Sequence, residues 1–152
     1  MNGKKPSLSE VIKTEIVFPN DANPMGILQG GRLVQWMDIA AAVCAQNHSE
    51  YIAVTASIDN VSFKRPAKIG DVIIIKANIT RAFNTSMEIF VEAYVKSLKV
   101  DVPHLINEAY FTFVVISEDG HGISVIPVLP ETKLELERYD MALEHKMKKL
   151  KI

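Results

Sequence analysis

The amino-acid sequence predicts an α+β fold in which one long helix lies along a curved antiparallel sheet of about five strands, and three observations support it. Residues 31–47, GRLVQWMDIAAAVCAQN, repeat apolar residues at three- and four-residue spacing. Five other segments are rich in β-branched and aromatic residues, one before this helix and four after it. One of them, residues 86–97, alternates Met87, Ile89, Val91, Ala93 and Val95 with Glu88, Phe90, Glu92, Tyr94 and Lys96, as expected of an antiparallel sheet with one face on the core.

Residues 10–18 read as a first strand, closed by Pro19. The following stretch, NDANPMGILQGG, collects the residues that turns and special backbone conformations demand. In the helix that begins at Gly31, the residues Leu33, Met37, Ala40, Ala41 and Cys44 form one stripe, and AAAVCA adds small residues on most sides. A helix small and apolar nearly all round is expected to be buried and wrapped by a sheet, which makes its middle an unusual place for Asp38. Strands are expected over 53–63, 71–81, 86–97 and 106–117. The stretch EDGHG at 118–122 carries a hairpin signal, and Pro127 and Pro130 end the strand region. The last helix, about 131–150, opens on a capping box of Thr132 and Glu135, with Leu136, Tyr139, Leu143, Met147 and Leu150 along one face. A length of 152 residues without repeat or linker suits a single domain, 1–152.

A net charge of −1 argues against a surface that tracks nucleic-acid phosphates, and Lys146, Lys148, Lys149 and Lys151 read as a solvated helix end that complements the helix dipole. The one cysteine, Cys44, forms no intrachain disulfide, and the N-terminus has no apolar segment after its lysines. No apolar run reaches the ~18 residues of a membrane span. A cytoplasmic protein with no membrane partner is the simplest expectation. The histidines His48, His104, His121 and His145 are scattered without metal-ligand spacing, so neither a metal site nor a cofactor is expected.

The glycine-rich loop runs straight into the helix that carries Asp38. The backbone of Gly30 and Gly31 can therefore offer N–H groups at a positive helix end, which is half of an oxyanion hole. A carboxylate on a largely apolar helix is a better base than a solvated one. A thioester asks for little more than this, because a thiol of pKa ~8.5 leaves readily once water attacks a polarised carbonyl. Asp38 lies seven residues beyond Gly31, about 10 Å along the axis, so it cannot serve its own helix end. Lys64 and Arg65, before Pro66, are candidates for pairing with phosphates. Thr85 and Ser86 fall in an expected hairpin loop and are candidates for a further substrate contact. Each of these features has a bland reading as turn, cap or solvated surface chemistry. Their order along the chain is what favours the sharper one.

That order resembles a known family. The stretch NPMGILQGGRLVQWMDIAA, Asn23 to Ala41, is similar to the acyl-CoA thioesterases of the hotdog superfamily, in the branch of broad-specificity acyl-CoA hydrolases. The segments VTASI, FKRP, IGD, TSME and PVLPET follow in the same order, so the resemblance covers roughly residues 10–140. It implies a hotdog fold and hydrolysis of acyl-coenzyme A to a free acid and coenzyme A. It also implies that Asp38 activates water or attacks the carbonyl, that Asn23 holds substrate or water, and that the Gly31 N–H polarises the thioester. Lys64 and Arg65 would then meet the phosphates of coenzyme A, and Thr85 and Ser86 its pantetheine arm. The asparagine loop of one protomer would face the aspartate helix of its partner, in a homodimer or a trimer of dimers. Hydratases of the superfamily rely on a helix histidine that 31–47 lacks. The alternative is an acyl-CoA-binding module without catalysis, against which the retained Asp38 and Asn23 speak.

Overall fold

A computed structural model of the chain describes residues 2–99 and 102–150. Five strands, β1 (Val11–Ile16), β2 (Ala53–Phe63), β3 (Val72–Ala82), β4 (Ser86–Lys96) and β5 (His104–Val115), form one antiparallel sheet in the order β1-β3-β4-β5-β2. The helix α1 (Gly30–Ser49) lies against one face of this sheet, and α2 (Lys133–Leu150) lies on the other. This is the α+β arrangement expected, with every strand end within two residues of its expected position.

Alternation decides which face is which. Met87, Ile89, Val91 and Ala93 of β4, with Ala109, Phe111, Phe113 and Val115 of β5, are buried beneath α1. The helix meets them with the expected stripe, Leu33, Met37, Ala40, Ala41 and Cys44, all buried. Its alanines let the backbone approach the sheet closely, where a larger side chain would cost about 1–3 kcal/mol of overpacking. The helix is not wrapped all round, however. Ile39 and Val43 are 46% and 42% exposed, on a flank that the sheet of the same chain leaves open.

β2 is an edge strand, paired only with β5 and bulged twice along its length. Ser62 at the second bulge donates its N–H to the buried Asn107 side chain. The hairpin signal at 118–122 becomes a turn, with Gly120 at φ 86° and a single bridge between Ile116 and Gly122. The chain then runs without regular structure to α2.

α2 begins with the expected capping box: Thr132 Oγ1 accepts from Glu135 N, and Glu135 Oε1 accepts from Thr132 N, each at 3.1 Å. Its docking face differs from the apolar stripe. Arg138, Tyr139, Ala142, His145 and Lys146 turn toward the sheet, while Leu136, Leu143, Met147 and Leu150 are 42–70% exposed. The reason lies in the sheet, whose outer face carries Glu88 and Glu92 and so selects a basic and aromatic partner surface.

His48, the penultimate residue of α1, is fully buried, and its Nε2 lies 2.8 Å from the carbonyl of Ile126, while Nδ1 has no partner. Burial lowers its pKa below the usual 6.5, against the pull of the Ile126 carbonyl and with help from Lys4. The fold therefore holds the ring neutral, whereas the unfolded chain takes up a proton as pH falls through about 6.5. Stability is accordingly complete above that value and declines below it. Urea midpoints should drop between about pH 7.5 and pH 5.5, and the drop should be smaller in His48→Gln, which keeps a donor for Ile126 but does not titrate.

Candidate active site

Asn23 organises the loop before α1. Its Oδ1 accepts from the N–H groups of Met25 and Ile27 at 2.9 and 3.1 Å, while its own backbone N–H donates to Ile27 O at 2.8 Å. Gly26, at φ 76°, closes this turn in a conformation that side chains disfavour. Both acceptor positions of the Asn23 oxygen are thus used locally, and Nδ2 keeps no partner among the described residues.

Gln29 occupies the N-cap of α1 but does not cap it. Its side chain reaches back to the Ala22 carbonyl at 3.1 Å, and the first turn carries no acidic residue. The helix accordingly begins at Gly30, one residue earlier than the sequence pattern suggests. The first bond to Gln29 O comes from Leu33 N, at 3.1 Å. The N–H groups of Gly30, Gly31 and Arg32 have no acceptor within the helix and lie at its positive end. The first of these positions is crowded, because a Cβ on Gly30 would stand 3.1 Å from the Phe63 ring. At Gly31 a Cβ would meet nothing within 4 Å.

A cleft of about 380 Å³ opens beside this helix end, walled by Ile27, Leu33 and Phe63, with Lys64 and Arg65 also in its lining. The structure thus brings Gly30, Lys64 and Arg65 together. Lys64 also stands 3.7 Å from Glu108, a partly exposed pair of small energetic weight.

Asp38 lies on the open flank of α1, half-buried, and its Oδ1 accepts from Thr55 Oγ1 at 2.7 Å. Among the described residues no cation pairs with it. Thr55 belongs to the edge strand β2 and was not a candidate on sequence grounds. The segment VTASI carried the resemblance, but only the fold brings a β2 hydroxyl to a carboxylate 17 residues earlier. Within one chain, Asp38 and the Gly30–Gly31 backbone are separated by about two helical turns, ~10 Å.

Thr85 and Ser86 lie elsewhere. They end the β3–β4 turn, where Ser86 O accepts from Phe83 N at 2.7 Å and Thr85 O accepts from Val115 N at 3.0 Å. Ser86 lines a separate cleft under α2 with Phe83, Glu88 and His145, on the side of the sheet away from α1. A single chain does not unite these two residues with Asp38 or with the glycines. Among the described residues no cluster of His, Cys, Asp or Glu could hold a metal ion, and no helix is long and apolar enough to cross a membrane.

A positive helix end without a side-chain cap beside an apolar cleft, with a hydroxyl-bonded carboxylate further along the same helix, is an arrangement suited to acyl transfer. Comparison with known proteins agrees: residues 25–101 match the thioesterase superfamily, and the chain belongs to that family. Acetyl-coenzyme A thioesterase of Mus musculus is 35% identical over 141 residues, 93% of this chain but 25% of that protein. The chain therefore spans about a quarter of the length of that mammalian relative. Among solved structures, an apo-hexameric acyl-CoA thioesterase superimposes with a TM-score of 0.94 at 32% identity, covering 99% of this chain and 97% of that one. The acyl-CoA hydrolase of Staphylococcus aureus in complex with butyryl coenzyme A, coenzyme A and coenzyme A disulfide gives a TM-score of 0.90 at 33% identity, covering 96% and 89%. The fold is thus that of the hotdog acyl-CoA thioesterases.

The two glycines should respond differently to alanine. Gly31→Ala gains helix propensity in open space and should raise stability by up to about 1 kcal/mol, whereas Gly30→Ala drives a Cβ into Phe63 and should not. Urea unfolding of the two variants measures the difference.

Proposed function

We propose that this chain hydrolyses acyl-coenzyme A thioesters at a site shared between two copies of itself. The hydrogen bond from Thr55 to Asp38, on an open flank of α1 and about 10 Å from the helix end that would polarise the carbonyl, carries this reading. A second chain supplies the missing half. An antiparallel pairing of two β2 edges around a two-fold axis brings the start of one strand, with Thr55 and Asp38 beside it, toward the end of the other, where Phe63 abuts Gly30. It also covers the exposed Ile39, Val43 and Val54.

In this site the thioester oxygen accepts from the Gly31 N–H of one protomer, with Gly30 beside it at the helix end. Asp38 of the other protomer takes a proton from a water whose oxygen adds to the carbonyl carbon, and the Asn23 carboxamide holds the water or the substrate. The tetrahedral intermediate then collapses with cleavage of the C–S bond. The proton held by Asp38 returns to the departing sulfur, leaving a carboxylic acid and coenzyme A. Thr55, donating to Oδ1, orients the carboxylate and leaves Oδ2 for the water. Lys64 and Arg65 at the cleft are suited to the phosphates of coenzyme A.

Two observations on relatives support this. The S. aureus acyl-CoA hydrolase has been characterised as variants in which an asparagine, an aspartate and a threonine were each replaced by alanine. Those positions are spaced by 15 and 17 residues, which are also the spacings from Asn23 to Asp38 and from Asp38 to Thr55. The relatives described as hexameric support assembly beyond the dimer, as a trimer of dimers.

Asp38→Asn should fold normally and lose activity by a factor on the order of 10² or more in a free-thiol release assay. Activity within a few-fold of the parent, with acyl-CoA binding intact, would make Asp38 structural. The shared site has its own test. Asn23→Ala and Asp38→Asn proteins, each nearly inactive, should recover roughly a quarter of parental activity when unfolded and refolded together, because half of random dimers are mixed and each mixed dimer restores one of two sites. A mixture that stays inactive, although mass spectrometry detects mixed dimers, would put both residues in one chain.

A further inference from the structure

Asn107 of β5 is fully buried, yet its carboxamide is bonded at one end only. Oδ1 accepts from the Ser62 N–H at 3.3 Å, and Nδ2 has no partner among the described residues. A buried amide donor left unbonded is unfavourable. The residues that follow Asn107 along the α1 side of β5, Ala109, Phe111 and Phe113, are all apolar, and an apolar residue at 107 would complete that column without the penalty. What the asparagine contributes therefore lies in its bond to β2.

That bond falls where β2 changes face. Asp59 pairs with Tyr110 and Ser62 with Glu108, so β2 takes three steps where β5 takes two. Asp59 points away from α1, toward Lys149 of α2. In a regular strand residues an even number apart share a face, so Phe63 would point away from α1 as well. The extra residue reverses this: Phe63 pairs with Asn107 and turns its ring onto Gly30 at the start of α1. Lys64 then donates its N–H to the Ile106 carbonyl at 2.8 Å, and Lys64 and Arg65 reach the cleft. Ile106 is itself the extra residue of a bulge toward β4, since Ala93 and Tyr94 face Asn107 and Leu105. Asn107 lies where the two irregularities meet, and its side chain bonds one to the other.

We propose that Asn107 is a positioning residue for the coenzyme A half of the substrate. Its bond to Ser62 holds the second bulge of β2, and the bulge decides that Phe63 walls the cleft while Lys64 and Arg65 stand at its lining. Lys64 shares its charge with Glu108 at 3.7 Å, in a partly exposed pair weak enough for a phosphate to displace. Asn107 itself is too deeply buried to touch substrate and acts through those two cations. The inference rests on the thioesterase reading for the identity of the ligand and adds to it the residue that aims the phosphate contacts.

Two substrates separate aiming from mere stability: an acyl-coenzyme A, and the same acyl group on N-acetylcysteamine, which has no phosphates. Asn107→Leu, close in shape but without an acceptor for Ser62, should lower kcat/KM on the acyl-coenzyme A about tenfold, chiefly through KM, and on the short thioester by no more than about threefold. In a background of Lys64→Ala with Arg65→Ala the same substitution should change KM for the acyl-coenzyme A by less than about twofold, because the residues it acts through are gone. If Asn107→Leu does not fold, Asn107→Thr, which suits a strand but is one bond shorter, takes its place with the same expectations. Calorimetry with free coenzyme A gives a readout apart from turnover, and Kd should rise with KM. An equal loss on both thioesters, full additivity with the Lys64 and Arg65 replacements, or unchanged acyl-coenzyme A kinetics in a folded variant would overturn the proposal. A parent protein that hydrolyses neither thioester, while the Kd for coenzyme A shifts as expected, would sink the thioesterase reading and leave the role of Asn107 standing.

Discussion

The separation between Asp38 and the N-terminal turn of α1 governs the reading of this protein. A helix is rigid and rises about 1.5 Å per residue, so its own middle cannot bend back to its own end. The carboxylate and the exposed N–H groups are therefore held apart by the same hydrogen bonds that hold the helix together. A site that needs both must be completed from outside the chain. The open flank bearing Ile39 and Val43, and the unpaired edge of β2 beside it, are the surfaces on which such completion can occur. Sheet edges left bare invite pairing, and here the bare edge carries the hydroxyl that donates to Asp38.

The helix end owes its availability to a chain of local choices. Asn23 spends its side-chain oxygen on the loop, which fixes the path into Gln29. Gln29 then turns its side chain back to Ala22 rather than forward onto the helix, so the first-turn donors stay unclaimed. Capping such an end ordinarily contributes about 1 kcal/mol, and its omission leaves these donors open to an acceptor from outside the helix. Gly30 lets Phe63 close over the backbone, giving the cleft an apolar wall against the polar helix end. Low local polarity strengthens any hydrogen bond made there.

Much of this was legible in the residues, and what was not has physical causes. The period of α1 located it to within a residue at its start because small apolar residues leave few alternatives, and the β2 segment 53–63 was bounded by its own composition. Gly30 was read as loop because glycine is a poor helix former, yet as the first helical residue it has no intrahelical N–H bond to lose. Periodicity tells which residues of α2 share a side but not which side docks, and the row of leucines turns out to face away from the sheet. Thr55 was invisible as a site residue since its hydrogen bond joins elements 17 positions apart, and no spacing rule covers a contact made by tertiary packing. Thr85 and Ser86 show the converse. Their turn was read correctly, but strand parity sends Ser86 to the face opposite α1.

The outer face of the sheet explains why α2 is built as it is. Glu88 is 6% exposed there, with one oxygen accepting from Thr80 at 2.7 Å and the other 2.8 Å from His145 Nδ1. A carboxylate so placed must be paired, since leaving it alone costs several kcal/mol. Beside it Tyr94 donates to Glu92 at 2.7 Å, and burial together with that carboxylate pushes the phenol up to about 12, which keeps it a donor. Glu92 in turn receives Arg138 at 3.4 Å, and Arg81 stacks 3.9 Å over the Tyr139 ring while donating to the Tyr139 carbonyl. The charged and aromatic groups α2 presents to the sheet, Arg138, Tyr139, His145 and Lys146, each answer a specific partner. An apolar helix face laid on this surface would bury Glu88 and Glu92 without counter-charges. The leucines are therefore excluded from the sheet by its electrostatics and lie along the helix face turned away from it.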